Sequence, residues 1–169
     1  MHYGFIGLGN LGSKLATRLA ENGFTVTGFD LNMRVSDSLE HAGVTFAASP
    51  EELAGSVDHV ITCLPSPDAS SAVLDQILGA MRPDANVIEM STIGRDDAIR
   101  FAGLAEGAGV GFLELPVTGG VHLAAVGELT LLAGGPASLM ALHEPALNVM
   151  GNEVIHMGPV GSASLIKVI

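Results

Sequence analysis

The sequence predicts an α/β fold: a doubly wound, mainly parallel sheet with helices on both faces. Three observations predict it. Short β-branched or aromatic runs alternate with helical stretches along the whole chain. A glycine-rich turn joins the first such run to the first helix. No fixed-period repeat, low-complexity tract or internal linker interrupts the alternation, so the 169 residues fit one domain large enough to bury a core.

The elements follow in order. Tyr3–Gly7 reads as a strand, and Leu11–Asn22 as a helix because Leu11, Leu15, Leu19 and Ala20 recur at helical spacing. Gly23 ends that helix. Thr25–Phe29 is the second strand, Met33–His41 a helix and Val44–Ala47 a short strand. In SPEELA (Ser49–Ala54) a capping residue precedes proline and two acids, which starts a helix. His59–Cys63 is a strand, Leu64–Ser66 a turn, and a helix runs on to Ile77. Asn86–Glu89 and Gly111–Leu115 are strands flanking the helix Arg95–Glu106. Leu129–Ala133 and Glu153–His156 are strands flanking the helix Pro136–Val149, and Gly161–Ile169 begins a last helix.

Charge narrows the function. The formal net charge is −11, and the basic residues are only Lys14, Lys167 and five scattered arginines. Phosphate-backbone binding needs clustered positive charge, so no nucleic-acid partner is expected. An anionic substrate would be repelled unless its pocket compensates locally. No apolar run approaches the roughly 18 residues that span a bilayer. Glycines and Asn10 break up the start, which does not resemble a signal peptide. The expectation is a soluble, cytoplasmic protein without a membrane partner. Cys63 is the single cysteine, which forbids an internal disulfide and suits a small buried apolar role. The histidines lack metal-ligand spacing, so no metal is expected.

GFIGLGNLG carries the first chemistry. Gly7-x-Gly9-x-x-Gly12 follows a strand and opens a helix. Gly7 permits the tight turn, Gly9 lets a pyrophosphate approach the backbone, and Gly12 lets the helix pack on the strand. The helix N-terminus offers free N–H groups to the phosphates. This is the dinucleotide-binding context of a Rossmann-type fold, although the bare glycine pattern also occurs in plain tight turns. Asp30 ends the second strand eighteen residues after Gly12. A carboxylate there accepts from ribose hydroxyls and repels a 2′-phosphate, which favours NAD over NADP. Arg34 could reach a 2′-phosphate instead, or be a solvated helix charge.

Five motifs in order resemble the β-hydroxyacid dehydrogenase family (3-hydroxyisobutyrate dehydrogenase and 2-hydroxy-3-oxopropionate reductase type). They are GFIGLGNLGSKLA, VITCLP, EMSTI, LPVTGG…GELTLLAGG and GPVGSASLIKVI. The resemblance implies an NAD(P)-dependent oxidoreductase that transfers hydride between nicotinamide and a short β-hydroxy acid or semialdehyde. It implies cofactor contacts from Gly7, Leu8, Gly9, Asn10, Leu11, Gly12, Asp30, Leu64, Pro65 and Thr92. Thr118, Gly119 and Gly120 would hold the substrate carboxylate, through a hydroxyl and backbone N–H groups that form an anion cradle. Lys167 would be the catalytic general acid/base; by itself a lone lysine reads as solvent-facing. A lysine here also differs from the related imine reductases, which usually carry another residue. Homo-oligomers are compatible with the resemblance.

Several positions depart from the family pattern. Leu11 replaces Met, and Glu114 precedes Leu115-Pro116 where Asp is usual, adding a methylene. Leu123 stands where a second glycine is usual and would narrow the substrate loop or redirect it. Glu128 replaces Thr or Ser, and Ala69 stands where some relatives carry Asn. His122, two residues after Gly120, reads as a solvent-facing loop histidine rather than a catalytic one. The resemblance divides the chain into a dinucleotide-binding domain, 1–160, and the start of an interdomain helix, 161–169, without the family's all-helical C-terminal domain. Leu165, Ile166, Val168 and Ile169 would then lack their usual cover. The alternative reading is a dinucleotide-binding module with little or no catalysis.

Overall fold

The computed structural model describes residues 1–168, and of Met33 and Val168 only the backbone. Ile169, expected in the last helix, lies outside the described residues. Strands β1 (His2–Ile6), β2 (Thr25–Phe29), β3 (Thr45–Phe46), β4 (His59–Thr62), β5 (Asn86–Glu89) and β6 (Gly111–Glu114) pair in parallel in the order 3-2-1-4-5-6. Between them lie α1 (Asn10–Glu21), α2 (Ser36–His41), α3 (Pro50–Ser56), α4 (Pro67–Ile77) and α5 (Arg95–Gly107). Beyond β6 come β7 (Val117–Thr118), α6 (Val121–Val126), β8 (Leu129–Gly134), α7 (Ala137–Met150), β9 (Gly151–Gly158) and α8 (Ser162–Val168). Strand β8 runs antiparallel to β6 and β7 and parallel to β9. The mainly parallel Rossmann-type sheet is therefore as expected.

Each sheet face carries its own core. Tyr3 and Phe5 point to the α1, α6 and α7 side, where Leu15, Leu19, Ala146, Leu147 and Met150 are buried. Ile6 points to the α3, α4 and α5 side, among Leu53, Leu74, Ile77 and Phe101. The alternation is the two-residue period of a strand buried on both faces. Gly4 keeps that period only because it has no side chain: a Cβ there would overlap Leu53.

One polar chain crosses the first core. The Tyr3 hydroxyl meets His143 Nδ1 (2.8 Å), and His143 Nε2 meets Asn86 Oδ1 (2.9 Å). The Asn86 backbone N–H donates to His59 Nδ1 (3.1 Å), and the two imidazoles stack edge to face at 4.5 Å. With Asn86 Oδ1 accepting, His143 Nε2 carries a proton. Burial pulls its pKa down to about 4 and also lowers that of His59.

Two elements differ from expectation. The stretch after Pro116 holds strand β7 and helix α6, where a glycine loop was expected. Gly120 is the N-cap of α6, and Gly127 closes it in the left-handed conformation (φ 72°). Leu123 is thus a helical residue packed on the first core, not a loop side chain. His122 lies on α6 and is exposed. Met33–His41 splits into a 3-10 turn, Met33–Val35, and α2.

Candidate cofactor and active site

Sheet order reverses between β1 and β4, and a cavity of about 710 Å³ opens there at the carboxyl ends of the strands. That is where open α/β sheets bind ligands. Its walls come from the loops after β1, β2, β4 and β5. Gly7, Gly9, Asn10, Leu11, Gly12, Asp30, Leu64, Pro65 and Thr92 all line it. Of the expected cofactor residues only Leu8 does not; its side chain is fully buried in the core.

The glycines divide their work. Gly7 turns with φ +97°, and a Cβ there would overlap the Cys63 carbonyl. A Cβ on Gly12 would overlap the Gly7 carbonyl oxygen, so α1 packs against the turn backbone to backbone. Gly9 is different: a Cβ there meets no atom of the described residues within 4 Å. Its missing side chain leaves open space toward the cavity. Among the described residues no side chain caps α1, which leaves first-turn N–H groups without partners there. These features fit a dinucleotide diphosphate.

Asp30 is held before any ligand arrives. Its Oδ2 accepts the Leu8 backbone N–H (2.7 Å) and its Oδ1 that of Asn32 (2.7 Å). Arg34 is exposed and does not line the cavity; its backbone N–H donates to Asn32 Oδ1 (3.2 Å).

The far end is braced from beneath. The Leu64 backbone N–H donates to Ser91 Oγ (2.8 Å), and the Ser91 backbone N–H donates to Glu89 Oε1 (2.8 Å). Ser70 donates to Ser91 Oγ (3.3 Å). Ser66 caps α4 through the Ala69 N–H (3.1 Å) with Pro67 behind it, fixing the loop that carries Leu64 and Pro65. Glu89 is fully buried, and burial pushes its carboxyl above the usual range. Its Oε2 has no hydrogen-bond partner among the described residues. Burial, reinforced by Glu89, raises the Cys63 thiol to about 12, so it stays a thiol at neutral pH.

The expected substrate and catalytic residues stand apart. Val117 lines the cavity, whereas Thr118, Gly119, Gly120 and Lys167 do not. Thr118 ends β7 and is exposed; Gly119 has φ +132° and leads into the α6 N-cap. Lys167 is half-buried on α8. Sequence reading missed Glu89 and Glu114 as organising groups. Their one signal was a carboxylate at the end of a strand otherwise buried on both faces.

Residues 2–158 match the family described as the NAD binding domain of 6-phosphogluconate dehydrogenase. The chain is 34% identical to NAD-dependent L-serine dehydrogenase of Pseudomonas aeruginosa over 97% of its own length and 56% of that protein. It is 34% identical to the mitochondrial 3-hydroxyisobutyrate dehydrogenase of Rattus norvegicus, covering 98% of this chain and 50% of that one. The solved structure of Mycobacterium tuberculosis 3-hydroxyisobutyrate dehydrogenase with L-serine superposes with a TM-score of 0.96 at 34% identity, over 99% of this chain and 57% of that one. The chain thus spans about half the length of the curated relatives it matches. Matched fold, glycine turn and ordered motifs agree: the chain belongs to the family of the NAD binding domain of 6-phosphogluconate dehydrogenase.

Proposed function

We propose that this chain holds the cofactor of an oxidoreductase acting on a short β-hydroxy acid or its semialdehyde, with NAD preferred to NADP. The observation that carries the reading is the single cavity shared by the glycine turn, Asp30 and the loops after β4 and β5. A bound nicotinamide supplies the hydride acceptor or donor. The protein residues do the rest. The Leu8 N–H is already given to Asp30, so the diphosphate falls to the N–H groups of Asn10 and Leu11. Leu8 therefore serves the cofactor by fixing Asp30. Each Asp30 oxygen keeps a lone pair for a ribose hydroxyl and repels a 2′-phosphate. Leu64, Pro65 and Thr92 hold the nicotinamide end.

Thr118 and the N–H groups of Gly119 and Gly120 hold the substrate carboxylate, offsetting repulsion from a net charge of −11. Lys167 takes the hydroxyl proton as the hydride leaves the hydroxyl-bearing carbon, and returns it to the carbonyl oxygen in reverse. Lys167→Ala is expected to slow NAD reduction with L-serine or 3-hydroxyisobutyrate by about 10²- to 10⁴-fold. Equal rates in the two proteins would remove Lys167 from the chemistry.

Asp30→Ala is expected to weaken NAD about tenfold or more and to tighten NADP, read by calorimetric titration with each nucleotide. An unchanged NAD-to-NADP ratio would refute the assignment. A second reading, nucleotide binding without turnover, is favoured by the absence of Lys167 and Thr118–Gly120 from the cavity wall. NAD binding with no reduction by any short β-hydroxy acid would select it; no binding of either nucleotide would reject both.

A further inference from the structure

Helix α8 is described over Ser162–Val168. Its first turn is tied to one side chain. Glu114, at the end of β6 and 1% exposed, takes the backbone N–H of Gly161 (2.8 Å) and of Ala163 (2.8 Å) on Oε1. Its Oε2 takes the backbone N–H (3.3 Å) and the hydroxyl of Ser164. Gly161, at φ +99°, makes the turn into the helix. Gly134 makes room for the carboxylate, since a Cβ there would overlap Glu114 Oε1. One carboxylate thus satisfies three N–H groups that a helix start leaves open.

Lys167 lies three residues beyond Ser164 and four beyond Ala163, on the face of α8 that Glu114 holds. We propose that Glu114 is the positioning residue for Lys167: it fixes the direction in which α8 carries that lysine relative to the cofactor. The proposal rests on the reading of Lys167 as the acid/base. Register strengthens it. Glu114 pairs with Glu89 across β5 and β6, and Glu89 holds Ser91 and, through it, the Leu64 N–H at the cavity. Neighbouring carboxyl groups on one sheet face therefore brace the cofactor loop and the lysine helix. Glu114 does not line the cavity.

The test uses the full chain with Glu114→Gln, Gly134→Ala and the milder Ser164→Ala, which keeps a readout if either of the first two fails to fold. Amide exchange at Ala163 and Ser164 is expected to rise about tenfold or more in the first two and less in the third. Exchange at Phe5 and NAD affinity should stay within about threefold of the parent, as for distant sites. Lys14 and Lys167 are the only lysines, so reductive ¹³C-methylation gives two assignable side-chain signals. Adding NAD should shift the Lys167 signal in the parent and lose that shift in Glu114→Gln.

Unchanged exchange in Glu114→Gln and Ser164→Ala overturns the anchor. Raised exchange with the Lys167 response intact overturns positioning and leaves Glu114 a structural cap. A Lys167 signal that ignores NAD in the parent overturns the acid/base reading and its positioning with it, while exchange still decides the anchor.

Discussion

Gly9→Ala is expected to weaken NAD binding by at least about 100-fold while leaving the unliganded fold within about 1 kcal/mol of the parent. A Cβ at Gly9 meets no atom of the described residues within 4 Å, so its whole cost falls on the diphosphate that would occupy that space. Gly12→Ala should lose binding and stability together. Its Cβ would overlap the Gly7 carbonyl, which forces α1 away from the turn. Titration with NAD beside urea unfolding separates the two outcomes. A Gly9→Ala protein that binds NAD as tightly as the parent would place the diphosphate elsewhere and end the cofactor assignment.

Acid is expected to unfold the chain through His143. In the folded chain this imidazole titrates near 4, against 6.5 in its ordinary state. Between those values the unfolded chain binds the extra proton, so stability rises with pH. The contribution is complete above about pH 6.5 and is lost progressively as pH falls toward 4. It amounts to about 2 kcal/mol between pH 7.5 and 5. His59, also lowered by burial, adds in the same direction. Glu89 acts oppositely: its carboxyl is raised, so it contributes stability as pH falls. Comparing the parent with His143→Gln by urea unfolding at several pH values isolates the histidine, and the variant should show the flatter dependence. Parallel slopes would mean that His143 is not held neutral.

The parts legible in the sequence were those governed by near neighbours. Strands β2 and β5 were expected at their observed bounds, because a short apolar run between turn residues needs no distant partner to declare itself. The Ser49 cap with Pro50 behind it was legible for the same reason, and its Oγ accepts the Glu52 N–H (3.1 Å). Nine of the ten expected cofactor residues line one cavity, since in a parallel sheet the residues just past each strand meet at one edge. Less legible was the segment after Pro116. Its glycines resemble loop residues, yet Gly120 and Gly127 bound a helix whose Ala124 is buried in the core.

The buried polar groups were not legible at all. Tyr3 and His143 are 140 positions apart, and Glu114 reaches Ser164 across 50. No local period reports such pairs, because they depend on which strand ends and helix starts the fold brings together. The sequence by itself determined the alternation of elements, the glycine turn and the acidic residue that follows the second strand. Only the tertiary structure decided that Leu8 spends its N–H on Asp30, that His143 stays neutral, and that Glu114 holds the helix of Lys167. The physical reason is that local pattern follows from chain geometry and burial period, whereas a buried hydrogen bond is set by distances between residues far apart in the chain.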